Sequence, residues 1–257
     1  MAYRTPLEER YSNVRSERGK KTPRGWDATT IAEEFRITTK AFETRLTGHG
    51  PFYPDTRRKL LPEPETVRKA RDISSGLELA ALLADRPRFK VDRRPSLDFQ
   101  YVDREIVAAR ALTAAGKATY QGAAPVKLDL LLVNANVDDR TPIACEVKVR
   151  RDKDPEAALL QALLYASLLS PKAQRERLPQ NYPDLFRDGV PKKIDVYVAL
   201  HQLPDDLRPM LDSALGLARD LVADGTIKKY LRQIVVIDAY TRNGRVRFRV
   251  IGEPSRC

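Results

Sequence analysis

The chain has 257 residues, with 46 Lys and Arg against 35 Asp and Glu, giving a formal net charge of +11. Hydrophobic residues at 42% and charged residues at 32% supply enough apolar material for a packed core, which excludes wholesale disorder. The length suits one large domain or a core with a small appendage, and the surplus of positive charge predicts a polyanionic partner, because such a field attracts phosphates.

The rarer residue types exclude more. His49 and His201 are the only histidines and lie far apart, so zinc hydrolases of the HExxH kind and most histidine triads drop out. Cys145 and Cys257 cannot form a zinc ribbon and read as thiols of a reducing compartment. Neither a GxxxxGK[ST] loop nor GxGxxG occurs. The segment MAYRTPLEERYSNVRSERGKK is mixed in charge, and no run of 18 apolar residues is found. The expectation is a soluble, cytoplasmic protein without membrane contact.

In chain order, residues 1–25 are polar, Arg-rich and punctuated by Gly and Pro, which predicts a flexible basic arm. Residues 26–62 read as a compact helical module, closed by the breaker Leu61-Pro62-Glu63-Pro64-Glu65. A connector over 63–96 follows, with one or two helices in 66–86 and a break at Arg93-Arg94-Pro95-Ser96. A helix is expected from Leu97 to Ala115. After Gly116 the period changes: KATYQG, VKLDLLLVN and TPIACEVKV are predicted strands. Residues 155–170 form a strong helix, with Asp154 as N-cap and Pro155 at the first helical position. Strand 193–202, helix 205–223, strand 233–240 and strand 245–251 complete the order, the last two joined by Asn243-Gly244, a type I′ hairpin signal. This succession predicts an α/β domain over 97–257, built on one mixed sheet flanked by helices.

The chemistry concentrates in two strands. Val126-Lys127-Leu128-Asp129-Leu130-Leu131-Leu132-Val133 puts a carboxylate inside a run that otherwise reads as doubly buried. An unpartnered buried carboxylate is very costly, so Asp129 requires a cation, a metal or a proton. Ile143-Ala144-Cys145-Glu146-Val147-Lys148-Val149 carries two charges two residues apart, which a strand points to one face. Two carboxylates and an ammonium would then meet on the sheet, an oxygen-ligand set suited to Mg²⁺ or Mn²⁺. On the next helix Gln161 and Tyr165, at i and i+4, share a face. Glu105 is a further acidic group in the 97–115 helix, with Asp103 and Glu78 competing for that role. The plainer alternatives are an exposed Glu146–Lys148 charge pair on an edge strand, an Asp129–Arg pair, and Gln161 and Tyr165 as helix surface and core.

Taken together, Asp129, Glu146-x-Lys148 and Gln161-x-x-x-Tyr165 resemble the PD-(D/E)xK nuclease superfamily, in particular its RecB-type branch with the QxxxY helix. The likeness covers residues 97–202 well and 203–251 loosely, and implies a restriction-endonuclease-like fold. It implies phosphodiester hydrolysis, with Asp129, Glu146 and the backbone carbonyl of Val147 holding Mg²⁺. Lys148 would assist the attacking water and stabilise the pentacovalent phosphate, and Glu105 would match the family's acidic residue on the first helix. Gln161 and Tyr165 would steady the site and contact substrate. A bound divalent ion can activate water at neutral pH and neutralise charge on the phosphate.

Within the N-terminal module, Ile31-Ala32, Phe35, Ile37, Ala41-Phe42 and Leu46 fit two short helices around a tight turn, with Thr38 capping the second. Residues 31–59 resemble the headpiece of lactose-repressor-type regulators. One departure is Arg36, where that family's turn usually has Gly. The resemblance implies DNA contact by Thr38, Thr39, Lys40 and Thr44; the alternative is a helical subdomain packed on the core. Arg245, Arg247 and Arg249 alternate with apolar residues, so they share one strand face, either for phosphate contact or as an edge that discourages aggregation. The expectation is therefore a Mg²⁺-dependent deoxyribonuclease acting on DNA, with Mn²⁺ and RNA as alternatives. A homodimer or a separate motor or recognition subunit would suit it. The competing function is a non-catalytic DNA-binding regulator or scaffold.

Overall fold

The computed structural model describes residues 4–17, 22–45, 53–54, 60–69, 73–86, 88–107, 111–112, 118–119, 127–136, 139–149, 154–187, 189–242, 245–252 and 255–256. The Asn243-Gly244 turn, Arg18, Lys20 and Lys21 of the basic arm, and residues 46–52 of the N-terminal module lie outside them.

Helix α1 (Pro6–Ser16) begins with Pro at its first position, and the Glu8 carboxylate accepts hydrogen bonds from both Thr5 N and Thr5 Oγ1. Leu7 and Val14 are buried. This corrects the expected flexible arm: over its middle the segment is a helix seated on the core, because Leu7, Tyr11 and Val14 recur at helical spacing. Helix α2 (Ala28–Arg45) is capped by Asp27, whose Oδ2 accepts from Thr30 N at 2.7 Å. It runs unbroken across the expected turn, a second correction. Ile31, Phe35, Thr38 and Phe42 form one buried helical stripe, and Arg36, a good helix former, pairs with Glu33 one turn earlier. Thr38 does not start a second helix; its Oγ1 accepts from Leu7 N, an open donor in the first turn of α1, at 3.3 Å.

Strand β1 (Tyr53–Pro54) is followed by helices α3 (Pro64–Lys69) and α4 (Gly76–Asp85), so the connector holds two helices. Strand β2 (Arg88–Phe89) then leads to β3 (Phe99–Val107), where the sequence predicts a helix. The charged run Asp103-Arg104-Glu105 looks helical locally. However, Phe99, Tyr101, Val102, Ile106 and Val107 are β-formers, and pairing along β6 decides the outcome. A register shift between Tyr101 and Asp103 and a positive φ of 46° at Glu105 mark the irregular end of this strand. Strands β4 (Ala111–Leu112) and β5 (Ala118–Thr119) pair with each other.

The central elements are β6 (Leu128–Asn134), β7 (Pro142–Val149), α5 (Pro155–Leu169), α6 (Lys172–Asn181), β8 (Ile194–His201), α7 (Arg208–Ala223), β9 (Leu231–Arg242), β10 (Arg245–Val250) and β11 (Ser255–Arg256). The sheet runs β1-β3-β6-β7-β8-β9-β10, with β2 on β3 and β11 on β9. Neighbours are antiparallel except β7–β8 and β8–β9, whose parallel pairing is allowed by the crossovers α5 and α7. The fold is thus a mixed α/β sheet flanked by helices. One face packs on α1, α2, α5 and α7, and α4 covers the other with Leu79 and Leu83. Every residue of α5 except Ala157 is buried, so apolar groups on all its sides are satisfied. Arg24 ties the approach to α2 to the start of α5. Its guanidinium meets the Asp154 and Glu156 carboxylates at 2.6 and 3.0 Å and lies over the Trp26 ring. No helix among the described residues is long and apolar enough to cross a membrane.

Candidate active site

Strands β6 and β7 alternate their side chains between the two cores. Leu131, Val133 and Ala144 face the α5 side, and strand parity puts Asp129, Glu146 and Lys148 on that same face. The paired register ends at Leu130 opposite Cys145; one further residue sets Asp129 opposite Glu146. There the Asp129 carboxylate takes over a backbone donor, with Oδ2 accepting from Val147 N at 3.1 Å.

Glu146 is 1% exposed. Its Oε1 meets Lys148 Nζ at 2.9 Å, while Oε2 is buried with no hydrogen-bond partner among the described residues. Burial first, then the neighbouring Asp129 carboxylate, push the Glu146 carboxyl well above the usual range, against the pull of Lys148. The alternative of an exposed edge pair is therefore overturned: β7 is central and both side chains are buried. Fully ionised, the two carboxylates outnumber the ammonium by one charge, a deficit that either a proton shared between Glu146 and Asp129 or a bound cation makes up. Asp129 and Glu146 fit a hard divalent cation bound through oxygen, and the Val147 carbonyl lies between Glu146 and Lys148 along the chain.

Helix α5 crosses above this face and brings Gln161 and fully buried Tyr165 together on one side of the helix. Gln161 Oε1 accepts a 2.6 Å hydrogen bond from the Tyr11 hydroxyl of α1. Tyr11 has its ionisation pushed up to about 12, by burial first and then by the negative field of Glu146, with Lys148 opposing. Sequence reasoning missed this residue; the Leu7, Tyr11, Val14 spacing and the Thr5-x-x-Glu8 start were the available signal.

Glu105 is not where the sequence places it. It lies on a strand, beside Asp129 in backbone register, but its carboxylate pairs with Arg104. The charged groups that act most on Glu146 are Asp129 and Lys148. Among the described residues no three His, Cys, Asp or Glu side chains gather as a metal site, so two of the predicted acidic ligands come together and the third does not. Glu78 is used in capping, its carboxylate accepting from Ser74 N and Ser74 Oγ.

The expected DNA-contacting residues divide. Thr38 and Thr39 are fully buried, so they cannot reach a major groove, whereas Lys40 and Thr44 are exposed on α2. Arg245, Arg247 and Arg249 share the exposed face of edge strand β10, while Phe248 is buried and Val246 and Val250 pack on the opposite core. Two of the three have local acidic neighbours: Arg249 meets Asp238 at 2.8 Å and Arg247 lies 4.0 Å from Asp92. Compared with known proteins, the chain matches no family model, no curated protein and no solved structure.

Proposed function

We propose that the chain is a metal-dependent nuclease that hydrolyses DNA phosphodiester bonds at Asp129, Glu146 and Lys148. The observation that carries this reading is the buried Glu146: one oxygen rests on Lys148, the other lacks a donor, and Asp129 stands beside it. The strand order supports it, since an antiparallel β3-β6-β7 meander followed by α5 and parallel β8 suits a restriction-endonuclease-like core. The charge of +11 supports a polyanionic substrate.

Asp129 and Glu146, with the Val147 carbonyl, would hold Mg²⁺ or Mn²⁺, which lowers the pKa of water and neutralises charge building on the phosphate. Lys148 orients the attacking water with its ammonium and then faces the extra negative charge of the pentacovalent phosphate. Glu146 holds that ammonium at 2.9 Å and so fixes its position. Gln161 supplies a side-chain amide, and buried Tyr165 lies one turn further along the same side of α5. The exposed β10 arginines are placed to contact backbone phosphate without reading sequence.

Incubation with supercoiled and linear DNA, in Mg²⁺, Mn²⁺ or EDTA, tests the reading beside Asp129→Ala and Lys148→Ala. Metal-dependent cutting lost in both folded variants is the expected result. DNA binding without cutting in any metal would assign the chain to the non-catalytic regulators, and cutting of single-stranded RNA in preference to duplex DNA would change the substrate.

A further inference from the structure

Gln161 is nearly buried (9% exposed), and the sole hydrogen bond of its side chain among the described residues is the one it accepts from Tyr11. A glutamine side chain has one acceptor oxygen and an NH₂ group with two donors, whereas phosphate oxygens accept only. The Tyr11 bond engages the end of the amide that a phosphodiester cannot use, and leaves the end that it can. We propose that Tyr11 is a positioning residue of the site: it holds the Gln161 carbonyl so that the amide NH₂ is presented to a substrate phosphate oxygen.

The placement of Tyr11 is over-determined. Helix α1 is fixed by buried Leu7 and Val14, by the Leu7 N bond to Thr38, and by Arg10, which meets Glu34 of α2 at 2.6 Å through Nε. One turn further, the exposed Arg15 sets its guanidinium 5.9 Å from the centre of the Tyr11 ring, a second contact that holds the ring in place. The hydroxyl donates to Oε1 here; the reverse flip would engage the NH₂ with the phenol oxygen, so this direction of the bond is what keeps the NH₂ for a phosphate. Orientation of this kind is worth roughly one to two orders of magnitude in rate. The inference rests on the nuclease reading for its catalytic consequence, but the contact itself can be seen without turnover.

The test compares the full-length wild type with Tyr11→Phe and Lys148→Ala. Cleavage of a short duplex is measured with Mg²⁺, and the side-chain NH₂ resonance of Gln161, assigned by its loss in Gln161→Leu, is followed in EDTA as uncut duplex is added. The expected result is a kcat about tenfold or more lower in Tyr11→Phe, with KM changed less than about threefold, and a Gln161 resonance that moves with duplex in the wild type and in Lys148→Ala but not in Tyr11→Phe. Wild-type or faster cutting by Tyr11→Phe, with Lys148→Ala dead, overturns the positioning role and leaves the nuclease standing; faster cutting would make α1 a cover over the site. No cutting by the wild type, with the resonance still responding to duplex through Tyr11, overturns the nuclease and keeps the role of Tyr11 in presenting Gln161 to phosphate. Neither cutting nor a response overturns both.

Discussion

Replacing Lys148 by Met removes the one cation that Glu146 meets among the described residues, while keeping most of the volume of the stem. The two side chains are 8% and 1% exposed and 2.9 Å apart, and breaking a pair this buried costs about 3–5 kcal/mol, since it strands the remaining charge. In a chain of this size each kcal/mol moves the melting temperature by about 2–4 °C, so Lys148→Met should melt roughly 6–20 °C below the wild type at neutral pH. The sign of the pH dependence follows from Glu146. Its folded carboxyl is raised above the ordinary range, so its contribution to stability is present at low pH and is lost as pH rises through the folded value. The deficit of Lys148→Met should therefore shrink towards acid, where a protonated Glu146 needs no ammonium. Adding Glu146→Gln should restore most of the loss, and a double-mutant cycle read by thermal unfolding measures the coupling. Melting of Lys148→Met at the wild-type temperature, or additive single and double variants, would refute the reasoning that the pair is held together by burial.

A divalent cation that binds the folded site stabilises it by about 2.7 kcal/mol at a hundred times its dissociation constant; Ca²⁺ or Mg²⁺ should raise the melting temperature of the wild type and of Glu105→Gln, but not of Asp129→Asn or Glu146→Gln. Arg24→Met should cost about 3–5 kcal/mol in denaturant unfolding at an unchanged m-value, because the Asp154 and Glu156 carboxylates lose a shared and nearly buried cation. Tyr11 ionises at about 12 in the fold against about 10 when exposed, so the wild type should lose roughly 2–3 kcal/mol relative to Tyr11→Phe as pH rises from 10 to 12. Gln in place of both Arg247 and Arg249 should reduce the salt slope of duplex binding by about one for each phosphate contact removed; an unchanged slope would assign these arginines to protection of the β10 edge.

The central sheet is legible because its local signals agree with its tertiary role. Asp154-Pro155 starts α5, and the Asn243-Gly244 pair falls between β9 and β10, whose register Arg242–Arg245 is that of a two-residue hairpin. Alternation on β7 brings Glu146 and Lys148 to one face, as strand geometry requires. The misreadings arise where non-local pairing outweighs a local pattern. Asp103-Arg104-Glu105 looks like a solvated helix until β6 supplies a partner strand, and Glu105 loses its expected role with the helix. In α2 the apolar positions satisfy both one long helix and two short ones; with a helix former at Arg36 and the stripe Ile31, Phe35, Thr38 and Phe42 buried along one side, the continuous form is the one adopted. Tyr11 could be read as a helix residue but not as a neighbour of Gln161, because nothing in either segment encodes a partner 150 positions away.

That separation has a consequence for synthesis. At about 5–20 residues per second, a ribosome makes Tyr11 roughly 8–30 s before Gln161. The strand that carries Glu146 and Lys148 also precedes its parallel neighbour β8. Until the second half of the chain emerges, the tyrosine, the amide and the acidic pair are parts of separate, unfinished structures. The site is thus unformed in the nascent protein, and the constellation is assembled only when most of the chain is free to fold.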